Sequence, residues 1–174
     1  GVIITHGNLG HNLTTIVRAL RAGEDTVVAS WLPQFHDMGL IGAHLGVIFC
    51  GGSGAYMSPI SFIKNPPLWI ATMSRYRATH IQAPSFAYKL VSRKFKALRS
   101  QPPTDLSSLR HIFNAAEPVD PAAIDLFYRT FAPFGLRAAA MAPGYGLAEH
   151  TVYVCDGGTR RVAVDKRALE ERGA

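Results

Sequence analysis

The sequence predicts an α/β fold organised around a mostly parallel sheet, and three observations carry that expectation. Five β-prone runs start 27, 26, 31 and 28 residues apart along the 174-residue chain. Helix-like stretches fill the intervals, the spacing of right-handed βαβ crossovers. The segments that follow the runs concentrate proline, glycine and chemically capable side chains. In a parallel sheet that is the edge where ligands bind.

The elements follow in order. The chain opens on Gly1-Val2-Ile3-Ile4, with no methionine and no signal peptide, and reads as a piece of something longer. Residues 5–22 are expected to be helical, because Leu9, Leu13, Ile16, Val17 and Leu20 recur at the spacing of one buried face. Residues 26–32 (TVVASWL) form the first strand, 38–49 an apolar helix and 53–57 (SGAYM) the second strand. A helix over 67–77 leads to the third strand, 79–82 (THIQ). Ser85 is placed to cap a helix over 85–99, with Ala87, Leu90, Val91, Phe95 and Leu98 as its buried stripe. Lys89, Arg93 and Lys96 stand together on another face. After the fourth strand, 110–114 (RHIFN), Asp120 and Pro121 open a helix over 121–132, and Gly135 ends that segment. The fifth strand is read over 138–142 (AAAMA), and 165–172 as a short charged helix.

Composition limits the function classes. The chain is 48% hydrophobic and 17% charged, which excludes disorder. No apolar run approaches the ~18 residues of a membrane helix. Cys50 and Cys155 lie far apart, so neither a disulfide framework nor a zinc ribbon is suggested, and a reducing, cytoplasmic setting fits. No two of the seven histidines stand at i, i+4, so a transition-metal site is not supported. The net charge is +6, and residues 38–104 contain no Asp or Glu while carrying eight Lys and Arg. Such a field favours anionic partners; a solvated helix face is the plainer reading. Nucleic acid is not expected, since no recognition-helix, zinc-finger or RNP pattern occurs. Gly51-Gly52-Ser53-Gly54-Ala55 misses the nucleophile-elbow pattern at Ala55 and precedes a strand instead of following one.

Three of the loops are recognisable. Tyr145-Gly146-Leu147-Ala148-Glu149 resembles the Y-G-x-T-E motif of the adenylate-forming (AMP-binding) superfamily. Pro33-Gln34-Phe35-His36-Asp37-Met38-Gly39-Leu40 resembles its aromatic-His loop, and Asn114-Ala115-Ala116-Glu117-Pro118 its adenine-flanking loop. Gly1-Val2 look like the last letters of its phosphate loop. His36-Asp37-Met38-Gly39-Leu40, Glu117-Pro118-Val119 and Ala148 are most similar to the fatty acyl-AMP ligase branch, although Ala115 stands where that branch usually has Gly. Residues 154–158 and 164–169 resemble the lead-in to that branch's insertion, which is linked to poor use of coenzyme A.

The resemblance implies that residues 1–174 are an incomplete central part of the N-terminal domain of an acyl-adenylate-forming enzyme, without its C-terminal domain. The complete enzyme would join a fatty acid to ATP with Mg²⁺, then pass the acyl group to an acyl carrier protein in preference to coenzyme A. The resemblance gives His36 and Glu149 catalytic roles, with Glu149 also holding the metal. Ala115, Ala116, Glu117, Gly144, Tyr145, Gly146 and Ala148 would bind the nucleotide, with Tyr145 stacked on adenine. Phe35, Met38 and Gly39 would bind the acid, although an apolar run opening a helix is also ordinary core. Asp37 either orients His36 or caps the following helix. Lys89, Arg93 and Lys96 would suit an acidic carrier. The other readings are a noncatalytic acyl- or adenylate-binding module and a fatty acyl-CoA synthetase. The superfamily's catalytic lysine and ribose-binding Asp match nothing in these residues, so they are not expected to turn over alone.

Overall fold

A computed structural model describes residues 1–158 and 160–172. Its elements are α1 (His6–Ala19), β1 (Val27–Ser30), a π-helical segment (Met38–Leu45) running into α2 (Gly46–Cys50), and β2 (Ser53–Tyr56). Then come α3 (Pro59–Lys64), α4 (Pro67–Arg75), β3 (His80–Ala83), α5 (Ser85–Lys96), β4 (His111–Asn114) and α6 (Pro121–Phe131). β5 (Met141–Gly146), β6 (Tyr153–Asp156) and α7 (Lys166–Arg172) complete the order. The strands form one six-stranded sheet, β2-β1-β3-β4-β5-β6. Every pairing is parallel except β5 with β6. The α/β, mostly parallel architecture expected from the spacing is present.

Helices cover both faces. His80 and Gln82 of β3 reach the backbone of Leu20 and Met38 on the α1 side. On the other side α5 packs on α6 through Tyr88 against Phe127, ring centroids 5.0 Å apart, and Phe95 against Phe131 at 4.9 Å. Trp69 of α4 is fully buried and donates its indole N–H to the Ala29 carbonyl at 3.0 Å. A buried aromatic with its polar atom satisfied fixes the helix against the sheet.

Four local readings are corrected. Residues 138–140 form a single 3₁₀ turn, and the fifth strand runs on through Pro143, Gly144, Tyr145 and Gly146. Antiparallel β6, which a βαβ rhythm does not announce, supplies the pairing that holds this glycine-rich stretch extended. Ser85 does not cap α5. Its hydroxyl turns inward to the Asn114 side chain and accepts from the Asp120 amide at 2.9 Å. The exposed end of α5 is closed instead by the Glu117 carboxylate, which accepts from the Phe86 amide at 2.8 Å. α5 also ends at Lys96, so Leu98 leaves the stripe and stands 37% exposed. Finally, the 38–49 helix is π-wound over its first eight residues. Gly39 lies there against the Pro33 carbonyl oxygen, on the spot a Cβ would occupy. α3 is an added short helix, capped by the Ser58 hydroxyl accepting from the Ser61 amide.

On α5, Arg93, Lys94 and Lys96 are exposed, and Lys89 lies 3.8 Å from Asp120. Both cysteines are free thiols. No helix among the described residues is long and apolar enough to cross a membrane.

Candidate functional site

At the carboxyl edge of the parallel strands lies a cavity of about 200 Å³. His36 and Met38 after β1, Ala115 and Ala116 after β4, and Gly146 at the end of β5 all line it. These residues are up to 110 positions apart in the chain, and five of the candidate residues thus share one space.

The other candidates stand around it. Tyr145, next to Gly146, is 59% exposed, as a platform for a planar ligand requires. Gly144 lies directly against the Phe113 ring, where a Cβ would collide, so glycine there lets β5 close on β4. Ala148 and Glu149 form a 3₁₀ turn after β5, and Glu149 faces a neighbouring hollow with Asn8 and Asn12 of α1. Glu117 is engaged with the Phe86 amide. Phe35 is 93% exposed and outside the cavity, and Gly39 is buried beneath the Pro33 backbone.

Two loops at this edge hold non-glycine residues at positive φ. Ala116 has φ 74° and Thr151 φ 70°. Such geometry costs a non-glycine residue about 1–3 kcal/mol and clusters at ligand sites. At Ala116 it occurs on the cavity wall itself.

His36 is held by its neighbour. Its Nδ1 lies 2.9 Å from Asp37 Oδ1, and the Met38 amide is directed at both, 2.7 Å from that oxygen and 3.2 Å from Nδ1. Asp37 therefore does both things the sequence left open, capping the π-helical segment and orienting the imidazole. With Nδ1 turned to the carboxylate, Nε2 is the nitrogen left for a ligand.

The sequence reading passed over the far wall. Gln82 and Tyr153 line the cavity with Phe113. Tyr153 donates its hydroxyl to Asp156 at 2.7 Å, and Asp156 meets His111 Nε2 at 2.6 Å. Asn12 of α1 grips both the amide and the carbonyl of Tyr153. Burial holds the His80 and His111 imidazoles below their ordinary pKa, Asp156 opposing the shift at His111. Burial first, then Asp156, pushes the Tyr153 phenol up. A bulge at Val154 brings Tyr153 and Asp156 to one side of the sheet. Strict alternation would have separated them, so no sequence signal announced the cluster.

The family of AMP-binding enzymes matches residues 1–169. The chain belongs to this family. Among AMP-binding enzymes it is 42% identical over 154 residues to a medium-chain-fatty-acid–[acyl-carrier-protein] ligase of Moorena producens, covering 88% of this chain and 26% of that protein. It is 40% identical over 158 residues to a long-chain-fatty-acid–AMP ligase of Mycobacterium marinum, covering 88% and 25%. The crystal structure of a fatty acyl-adenylate ligase from L. pneumophila, in complex with acyl adenylate and pyrophosphate, superposes with TM-score 0.85 at 42% identity. That match covers 90% of this chain and 28% of the other. The chain spans about a quarter of the length of the curated relatives it matches. The family and branch read from the loops are thus borne out, and the sheet is that of the N-terminal domain of AMP-binding enzymes.

Proposed function

We propose that these residues are the central part of the N-terminal domain of a fatty acyl-AMP ligase that acts in the cytoplasm. A fatty-acid carboxylate oxygen attacks the α-phosphorus of ATP, the α–β phosphoanhydride bond breaks, and pyrophosphate leaves. The thiol of an acyl carrier protein's phosphopantetheine then attacks the acyl carbonyl and releases AMP. The observation that carries this reading is the single cavity that joins His36, Ala115, Ala116 and Gly146 beside the exposed Tyr145 ring. The relatives named as acyl-carrier-protein ligases support a carrier over coenzyme A as acceptor.

Each residue has a part. Tyr145 stacks on adenine, with Gly144 and Gly146 keeping the strand beneath it flat and Ala115, Ala116 and Glu117 flanking the base. With Nδ1–H given to Asp37, His36 donates from Nε2 to the carboxylate and α-phosphate oxygens as the imidazolium, both ring nitrogens then carrying protons. Met38 gives the acid an apolar lining, with Phe35 exposed beside His36 and Gly39 seating the segment on Pro33. Ala148 has no hydroxyl, so the bond that Thr gives the α-phosphate elsewhere falls to backbone or another group.

The Glu149 carboxylate fits Mg²⁺, because it is exposed and makes no hydrogen bond or ion pair among the described residues. Among those residues no group of three or more His, Cys, Asp or Glu could hold a metal. Mg²⁺ commonly takes one or two carboxylates and completes its shell with phosphates and water. When bound, it would neutralise phosphate charge.

The test is fatty-acid-dependent pyrophosphate release by the full-length protein, with holo-carrier and coenzyme A compared as acceptors. Glu149→Ala is expected to lower the rate and make it respond more steeply to Mg²⁺ concentration. An unchanged rate at limiting Mg²⁺ removes Glu149 from the metal. Tyr145→Ala is expected to raise the KM for ATP about tenfold, since stacking of a base on an aromatic ring is worth about 1–3 kcal/mol. A KM for ATP that stays put argues against adenine at Tyr145.

A further inference from the structure

Beneath α1 the described residues line two spaces. The cavity of about 200 Å³ at the carboxyl edge is followed by a smaller one of about 30 Å³. Ile16, Leu20, Gly42, Gln82 and Phe113 line both, so the two are neighbours across a shared wall. Most of that wall is apolar. The exception is Gln82, a side chain from the central part of the sheet that is only 8% exposed.

Gln82 is held there from two directions. Its Nε2 donates to the Met38 carbonyl at 3.2 Å. Its Oε1 rests against Gly42, where an added Cβ would lie 2.9 Å away. A glycine on the π-helical segment thus leaves the room that the amide fills. Behind the wall the smaller space is bounded by His80 and His111. The His80 imidazole is pinned between the Thr79 hydroxyl and the Leu20 carbonyl. The outer space opens at His36, where the acid's carboxylate is proposed to react. An alkyl chain running inward from there meets the Gln82 amide before it meets anything deeper.

We infer that Gln82 is the specificity-determining residue for acyl length, a hydrogen-bonded partition that stops the chain at the outer cavity. The inference rests on the proposed fatty acyl-AMP ligase reading. Shortening Gln82 joins the two spaces, while an isosteric apolar side chain keeps the wall and loses only the bond to Met38. The wall works by bulk, so the two changes separate. Each further methylene that finds apolar room gains roughly fourfold in kcat/KM.

The experiment is pyrophosphate release by the full-length protein across a series of saturated fatty acids of increasing length, with the KM for ATP measured alongside. Gln82→Ala is expected to move the preferred length upward, and Gln82→Asn, a milder change that keeps the amide, to move it less. Gln82→Leu is expected to keep the original preference. The KM for ATP is expected to stay the same in all three. A length profile unchanged in Gln82→Ala or, should that variant fail to fold, in Gln82→Asn overturns the partition while leaving the ligase reading intact. A shift in Gln82→Leu equal to that in Gln82→Ala overturns it as well, by showing that the amide's bond and not its bulk matters. Failure of every fatty acid to drive pyrophosphate release by the unsubstituted protein overturns the ligase reading and, with it, this inference.

Discussion

His36→Ala, in the full-length protein, is expected to lower fatty-acid-dependent pyrophosphate release by about 10²- to 10³-fold, the usual cost of removing one donor aimed at developing charge. The geometry behind the number is the contact with Asp37. Held at 2.9 Å from the carboxylate, the ring cannot turn Nδ1 toward the cavity without losing that partner. The Met38 amide in turn holds the carboxylate in place at 2.7 Å. The orientation of Nε2 is thereby set by the backbone that starts the π-helical segment. A donor fixed before the ligand arrives costs no reorganisation in the transition state, which is why its loss should appear in kcat more than in either KM. His36→Gln, which restores an N–H donor at a different reach, should recover part of the rate. Asp37→Asn should keep the cap through its remaining oxygen and weaken the hold on the imidazole, giving a smaller loss. A His36→Ala variant that loses only affinity for ATP would remove His36 from the reacting atoms and make it a wall of the nucleotide site.

The parallel sheet was legible because each strand-to-strand interval is written in local patterning: apolar runs near 30 residues apart, and helices with apolar faces between them. The reacting edge was legible for a related reason. Loops that meet a ligand need glycine, proline and polar groups in places a core segment would not tolerate, so residues such as His36 and Tyr145 stand out. What failed depends on tertiary contact. Gly144 and Gly146 have poor strand propensity, yet they lie in β5 because β6 pairs with them and because Phe113 and Val152 press where side chains would be. Ser85 has the side chain of an N-cap, but a buried Asn114 offers it a better partner. Gln82 reads as an ordinary strand residue until the Met38 carbonyl and Gly42 are brought beside it. In each case the deciding group lies outside the segment being read, and a propensity argument has no access to it.

The buried cluster on the far wall leads to the other large effect. Asp156→Ala is expected to cost the folded state about 3 kcal/mol, because hydrogen bonds to a charged group are worth about 1.5–3 kcal/mol each and two buried donors lose their acceptor. Those donors are the Tyr153 hydroxyl and His111 Nε2, and the side chains of His111 and Asp156 are only 15% and 11% exposed. The same cluster predicts how stability changes with pH. Burial keeps His80 and His111 below the ordinary value of 6.5, so just under that pH the unfolded chain binds protons that the folded chain does not. Stability from these two rings is therefore fully present above about pH 6.5 and falls as the solution is acidified, with a limiting slope of about 1.4 kcal/mol per pH unit for each ring. Asp156 raises the His111 value and limits that loss, so its removal should widen the acid-sensitive window as well as lower stability at neutral pH. Urea midpoints of the full-length protein and its Asp156→Ala variant, followed from about pH 7.5 to 5.5, read both effects. A midpoint that rises as the solution is acidified would mean instead that the imidazoles hold their protons in the fold. Asp156 would then neutralise a buried cation, and its removal would cost more at acid pH than at neutral.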